Sequence, residues 1–310
     1  MLKHFESLYE MAQAFPDEQS AIDHFRAIRW KNGPFCPYCG STKVYDFSDK
    51  RTHKCGDCRQ RFSIKVGTIF EDTKLHLRKW YMAIWLITSH KKGISSAQLA
   101  RDLKITQKSA WFVLHRLRYA ARTKSFNRPL KGEIEADETF MGGKEKNKHA
   151  WQRKPRGKAG TGGIGSGKTP VLGLLERGGD LRAMKIPSVK ATTLLNKVSQ
   201  HVERGSTVVT DEWGGYNGLS YVYGYRHERV GHSAGEWVRD RFHTNGIEGA
   251  WSLFKRQVYG IHHWISAKHV DRYLDEFTWR YNRRQAEEGE RVNALLAQAS
   301  GRLTYKALIS

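Results

Sequence analysis

The chain has 310 residues, enough for two or three modules and at least one sizeable core. Lys plus Arg number 53 against 31 Asp plus Glu, a formal charge of +22 with a sequence pI near 9.9, which predicts salt-sensitive attraction to a polyanion. Ten Trp, thirteen Tyr and thirteen Phe interleaved with the basic residues exclude a charged disordered tail; no apolar run nears the roughly 18–20 residues of a bilayer span, and the acids in MLKHFESLYE exclude a secretory signal.

Residues 1–30 read as a helical segment interrupted at Pro16, with no chemistry in it. Cys36 and Cys39, then Cys55 and Cys58, follow as two close pairs. Four thiolates at these spacings in a cytoplasmic protein predict a closed tetrahedral zinc site of zinc-ribbon type, structural because no coordination position stays open. Lys43–Phe47 and Arg61–Ile64 supply its short strands. Residues 1–72 make this first module.

Residues 73–131 predict helices and a basic linker. Leu75–Thr88 is apolar at helical spacing. Ile94–Leu103 begins at cap-capable serines, and after the break at Lys104–Thr106 a second helix runs from Gln107. That pattern is a helix-turn-helix, or an ordinary helical hairpin; the charge favours the DNA-binding version, with Lys108, Arg116 and Arg118 on the second helix.

A new domain, 132–290, opens with Ile134 and Ala136 alternating with charged residues in a strand that brings Asp137 to its end. Residues 141–169 form a basic, Gly-rich insert whose Lys144, Lys146, Lys148, Arg153 and Lys154 suit a nucleic-acid backbone. Within it Gly162–Thr169 matches the P-loop string formally. A P-loop needs a helix at the lysine, and Pro170 followed by a strand-like run argues against one. Val171–Leu175 and Leu181–Ile186 predict a hairpin, Ala191–Val202 a helix, and Thr207–Thr210 a buried strand ending in Asp211; Tyr221–Tyr225 is a candidate further strand. The order is that of a mixed α/β layer.

The helix expected over Phe242–Arg256 sets Ile247, Trp251 and Phe254 on an apolar face and Asn245, Glu248, Ser252 and Lys255 on a neighbouring stripe. Gln257–Trp264 is either a loop touching the substrate or surface aromatics. In Ala267–Arg284 the row Glu276, Arg280 and Arg283 is a solvated stripe, a brace for the site, or a grip on phosphate. Glu287–Ser310, of which 291–310 is set apart as a tail, looks helical at first and then weakly ordered.

Acids closing two separate strands, with oxygen ligands on a helix, suit two Mg²⁺ or Mn²⁺ ions, which prefer hard oxygen donors and leave room for substrate phosphate. Lys255 would place a point charge on phosphate.

The sequence resembles the transposases of bacterial insertion sequences that join an N-terminal zinc ribbon to a DDE-type catalytic domain of RNase-H-like fold. RWKNGPFCPYCGS, the second CxxC, FSIKVGTIFEDTKLHLRKW, ADETFMGGKEKNKH, TDEW, HTNGIEGAWSLFKR and YLDEFTWRYNRR carry the resemblance over nearly the whole chain. It implies an RNase-H-like mixed sheet flanked by helices, with Asp137 and Asp211 as the first two metal-binding acids. It makes Lys255 the lysine after the third ligand, and sets Glu276, Arg280 and Arg283 in the active domain. The third ligand is Asn245 or Glu248. The expected function is binding of double-stranded transposon end repeats, metal-dependent 3′-end cleavage and strand transfer into target DNA. Such an enzyme would work at the nucleoid as a homo-oligomer with no membrane partner. The rival is a DNA-binding regulator on a catalytically inactive domain.

Overall fold

The structure, a computed structural model, describes residues 3–122, 128–143, 149, 151, 168–231, 238 and 241–310. They divide into two units, Met1–Arg122 with Arg283–Ser310, and Thr123–Asn282.

In the first unit, local caps set the breaks. Ser7 accepts the Glu10 N–H at 3.1 Å to start α1 (Leu8–Ala14), and Asp17 accepts the Ser20 N–H at 2.7 Å in a capping box that starts α2 (Glu18–Arg29). The zinc-ribbon region is an antiparallel sheet of β1 (Val44–Asp46), β2 (Thr52–Cys55) and β3 (Arg61–Ser63), in that order. The outer strands fall where the sequence put them, and the middle one ends on Cys55. Next, α3 (Leu77–Ser89) buries Trp80 and Tyr81 among Phe15 and Phe70. Ser95 caps α4 (Ser96–Leu103) and Thr106 caps α5 (Gln107–Ala121). The turn between them passes through Lys104 at φ 49°, a left-handed conformation that closes α4.

The second unit is built on one five-stranded sheet: β4 (Glu133–Met141), β5 (Thr169–Glu176), β6 (Leu181–Lys185), β7 (Thr207–Thr210) and β8 (Arg226–Arg229). Its order is β6-β5-β4-β7-β8. β4, β5 and β6 pair antiparallel, and β4, β7 and β8 parallel. Helices cover it: α6 (Ala191–His201), the short α7 (Leu219–Tyr223), α8 (Asn245–Gln257) and α9 (Val270–Asn282). This mixed α/β sheet with flanking helices is the architecture expected of the RNase-H-like domain.

Alternation on β4 sorts the two faces. Ile134 and Ala136 join Leu172, Leu174, Leu194, Val198 and Tyr216 in one core. On the other face Val171 and Leu175 pack with Ile247, Trp251 and Phe254 of α8 and Tyr273 and Phe277 of α9. Here α8 lies close because Gly173 has no side chain: a Cβ there would come within 2.4 Å of Trp251 and 2.7 Å of Ile247. Gly173 is the ladder partner of Asp137, and paired residues share a face. Asp137 therefore faces α8.

Two expectations are corrected. Tyr221–Tyr225 is not a strand; Leu219–Tyr223 is a short helix closed by Gly224 at φ 71°, and the strand is the charged run after it. β8 is an edge strand paired only with β7, so it needs no apolar alternation. The tail is not loose either. After α9 the chain rejoins the first unit, where α10 (Glu288–Ala297) and α11 (Tyr305–Ile309) bury Val292, Leu295, Leu296, Leu303 and Leu308. Ile69 N–H donates to Ala299 O at 2.8 Å and Arg291 to Thr88 O at 3.0 Å. Among the described residues, no helix is long and apolar enough to cross a membrane.

Candidate active site

The cysteines converge. Cys36 Sγ lies 3.6 Å from Cys58 Sγ, and Cys39 Sγ 3.5 Å from Cys55 Sγ. Disulfide sulfurs would be about 2.05 Å apart, whereas edges of a tetrahedron with Zn–S bonds near 2.3 Å are roughly 3.8 Å. All four thiols are free, and their sulfurs lie within 4.8 Å of one another. Backbone N–H groups of Tyr38 and Cys58 approach Cys36 Sγ and Cys55 Sγ at 3.4 Å, as knuckles that hold thiolates require. The donor set and spacing fit a structural zinc ion.

The second cluster is made of oxygen. Asp137 sits on β4, where its Oδ1 accepts the Glu138 N–H at 2.8 Å. β7 runs parallel beside β4 with Val209 opposite Glu135, and Asp211 follows directly after the last residue of β7. Trp213 N–H donates to Asp211 Oδ1 at 2.9 Å. α8 crosses the same face with Ile247, Trp251 and Phe254 buried, leaving Asn245, Glu248, Ser252 and Lys255 exposed. One charge registers the convergence. Burial and then Asp211 push the Asp137 carboxyl up to about 7, with Glu248 adding to the rise and Lys255 opposing it. Groups from β4, the end of β7 and α8 thus share one field. Thr244 Oγ1 donates to Glu248 Oε1 at 2.8 Å; Asn245 stands one turn earlier on the same stripe. Among the described residues, Asp137, Asp211 and Glu248 do not draw their oxygens within 4.8 Å of one another, so they do not form a tight single-ion cage.

Two acids of β4, one buried and one half-buried, escaped the sequence reading. Glu135 is 2% exposed, and its Oε2 accepts the Ile247 N–H at 2.8 Å. Glu138, on the opposite face from Asp137, accepts from the Tyr216 hydroxyl; burial pushes its carboxyl up to about 8 against that bond. Alternation in EIEADETF made Glu135 look solvent-facing, whereas Glu138 falls on the face of Ile134 and Ala136. The available signal was their place in a strand central to the sheet.

Residues 129–282 match the ISXO2-like transposase domain and residues 16–61 the transposase zinc-ribbon domain. The chain belongs to the insertion-sequence transposases. It is similar to an uncharacterized protein in transposable element ISH50 of Halobacterium salinarum, at 28% identity over 276 residues, covering 86% of this chain and 92% of the relative. That relative is archaeal, so the likeness extends beyond bacterial elements. Among solved structures, this transposase aligns with chains of a pre-cleavage Mos1 transpososome and of the Mos1 strand transfer complex. Both alignments have a TM-score of 0.26 and cover 72% of this chain, with 80% and 79% of those chains, at 11% and 14% identity.

The structure also sorts the basic residues of the transposase. Lys108 is exposed on the first turn of α5, its ammonium 5.0 Å from the Tyr305 ring centroid. Arg116 and Arg118 are 6% and 1% exposed and are not surface groups. Arg116 donates to Ile69 O and Glu71 O at 2.9 Å and to Leu303 O at 3.2 Å, stitching α5 to the tail. Arg280 is likewise buried, 3.2 Å from Glu276 and donating to Gln257 Oε1 at 2.6 Å. Of the readings for that row, bracing fits: Glu276 and Arg280 tie α9 to the end of α8, while Arg283 falls in the other unit. Lys144, Lys146, Lys148, Arg153 and Lys154 lie outside the described residues, as do Gly162–Gly167 of the P-loop string. Thr169 opens β5, so no helix follows Lys168 and the P-loop reading stays rejected. After α8 a π-helical turn, Val258–His262, leads to exposed Trp264, which lies against Gly143.

Proposed function

We propose that this transposase binds double-stranded DNA at the inverted repeats of its element, cleaves the 3′ ends with divalent metal ions and joins them to target DNA. The observation that carries the reading is the shared field of Asp137, Asp211, Glu248 and Lys255, brought together from three elements. The donors are hard oxygens and their negative charge is crowded around a half-buried carboxyl, which suits Mg²⁺ or Mn²⁺. Asp137 and Asp211, with Asn245 or Glu248, would hold the ions. When bound, two such ions activate the attacking oxygen and stabilise the departing one in phosphodiester chemistry. Lys255 supplies a point charge to the phosphate. Thr244 fixes the Glu248 carboxylate through its hydroxyl.

For DNA binding, the exposed first turn of α5, with Gln107 and Lys108, and nearby Arg101 and Lys104 of α4 and its turn, form the surface a helix-turn-helix offers to the major groove. The basic insert would follow the backbone. Joining two ends in one event needs at least two copies of the chain on DNA.

The test is cleavage of DNA carrying the repeats that bracket the gene. Wild type should cut in Mg²⁺. Asp137→Ala and Asp211→Ala should lose at least about 10³-fold in rate while retaining DNA binding, as removal of charge-stabilising groups does. Asn245→Ala and Glu248→Gln, assayed beside them, identify the third ligand as the one whose loss matches the aspartates. Binding without metal-dependent cleavage in wild type would instead support a DNA-binding regulator.

A further inference from the structure

α8 carries the third-ligand candidates, yet it does not cap itself. Thr244 precedes its first turn and makes no side-chain bond to the helix N–H groups; its hydroxyl goes to Glu248. Four N–H groups at a helix start need partners. One is met from another element: Glu135 Oε2 on β4 accepts the Ile247 N–H at 2.8 Å. The other oxygen, Oε1, lies 3.3 Å from Arg177 Nη2 and 3.5 Å from His243 Nδ1. Arg177 also donates to the carbonyls of Arg241 at 3.0 Å and His243 at 3.2 Å. The segment entering α8 and its first turn are therefore gripped by one ion pair, a buried Glu135 and a partly exposed Arg177. Gly246 makes room for it, since a Cβ there would sit 2.8 Å from Glu135 Oε2 and 2.9 Å from Leu175.

Glu135 and Asp137 are two positions apart on one strand and so share a face. We propose that Glu135 is a positioning residue: by capping α8 from β4, it sets Asn245 and Glu248 in register with Asp137 and Asp211. A carboxylate at a helix N-terminus is also favoured by the helix dipole. The inference rests on the acid cluster being the ion-holding site.

Two readouts on the full chain test it. Amide hydrogen exchange without metal reads the cap: Glu135→Ala should speed exchange at Ile247 and its neighbours in α8, leaving α9 and the sheet as in wild type. Mn²⁺ titration without DNA reads the consequence. Glu135→Ala should weaken Mn²⁺ binding at least about tenfold, in the range for residues that orient ligands. Glu135→Gln, which keeps an acceptor for Ile247 N–H, should recover most of both effects. If Glu135→Ala proves unstable, Gly246→Ala presses on the same carboxylate from the helix side and should shift both readouts in the same direction. Wild-type exchange and Mn²⁺ affinity in Glu135→Ala would overturn the proposal, as would equal losses in the Ala and Gln variants. Should Asp137→Ala bind Mn²⁺ like wild type, the reading of the acid cluster itself fails, which is a distinct outcome.

Discussion

Asp211 was legible in the sequence because it follows a run that is a strand, Thr207–Thr210, whereas Asp137, expected at a strand's end, lies in the middle of β4, which runs on to Met141. Strand ends are where open α/β sheets collect functional groups. Glu135 was not legible: a glutamate alternating with apolar residues reads as solvent-facing, and only the helix lying over it makes it a cap. Arg116 and Arg118 failed for the converse reason. Basic residues on a putative recognition helix look like phosphate contacts, but Arg116 spends its guanidinium on three carbonyls far away in the chain. The crowding around Asp137 has a measurable cost. Burial and then Asp211 raise its carboxyl and Glu248 adds to that, so like charges contribute to destabilising the metal-free site. Asp211→Asn should therefore raise the melting temperature in EDTA by about 2–4 °C, the shift about 1 kcal/mol produces in a domain of this size. The same variant should lose the extra stability that wild type gains on adding Mg²⁺. An unchanged melting temperature and an intact Mg²⁺ effect would contradict the crowding. His24 gives a second check. Buried, it shares Nδ1 with the Tyr81 hydroxyl at 3.1 Å and leaves Nε2 without a partner, and burial pushes it down to about 4. Its ordinary value is 6.5, so the unfolded chain takes up a proton between about pH 6.5 and 4 that the folded chain refuses. Stability should fall across that window as pH drops. A denaturation series should show a shallower fall for His24→Gln; an identical slope would remove His24 as a cause.

At the scale of elements, helices with caps and apolar stripes were readable almost to their ends: α4, α5 and α8 begin and end within a few residues of the expected positions. The β-branched run of β7 was equally clear. β8 was not, because Arg-His-Glu-Arg on an edge has no buried face to advertise itself, and the tyrosine-rich run before it has more β-propensity. The helix that opens the tail was legible, but the order of its end was missed for want of a long pattern; the tail's burial comes from α10 and from bonds to Ile69 and Gly67. The zinc ribbon was read from spacing alone, and its three strands of three or four residues are too short to stand without a ligand. Purified protein should contain one zinc per chain. Chelation should remove amide protection from β1, β2 and β3 while the sheet of the second unit keeps its own, because structural zinc supplies folding free energy on the order of 10 kcal/mol. Protein purified without zinc and with those strands protected would refute the assignment.

At the scale of the molecule, the charge of +22 announced a polyanion before any motif did. The order ribbon, helices and mixed sheet followed from patterns along the chain. The division into units did not, because the last 28 residues return to the N-terminal unit, and no local pattern encodes a return. The account depends on carboxylates distant in sequence sharing divalent ions. Diffraction from crystals soaked in Mn²⁺, recorded at the manganese edge, tests that directly. Anomalous peaks should lie within about 2.2 Å of carboxylate oxygens of both Asp137 and Asp211, and vanish in Asp137→Ala. Crystals in which Mn²⁺ binds elsewhere, with neither aspartate in contact, would contradict the account.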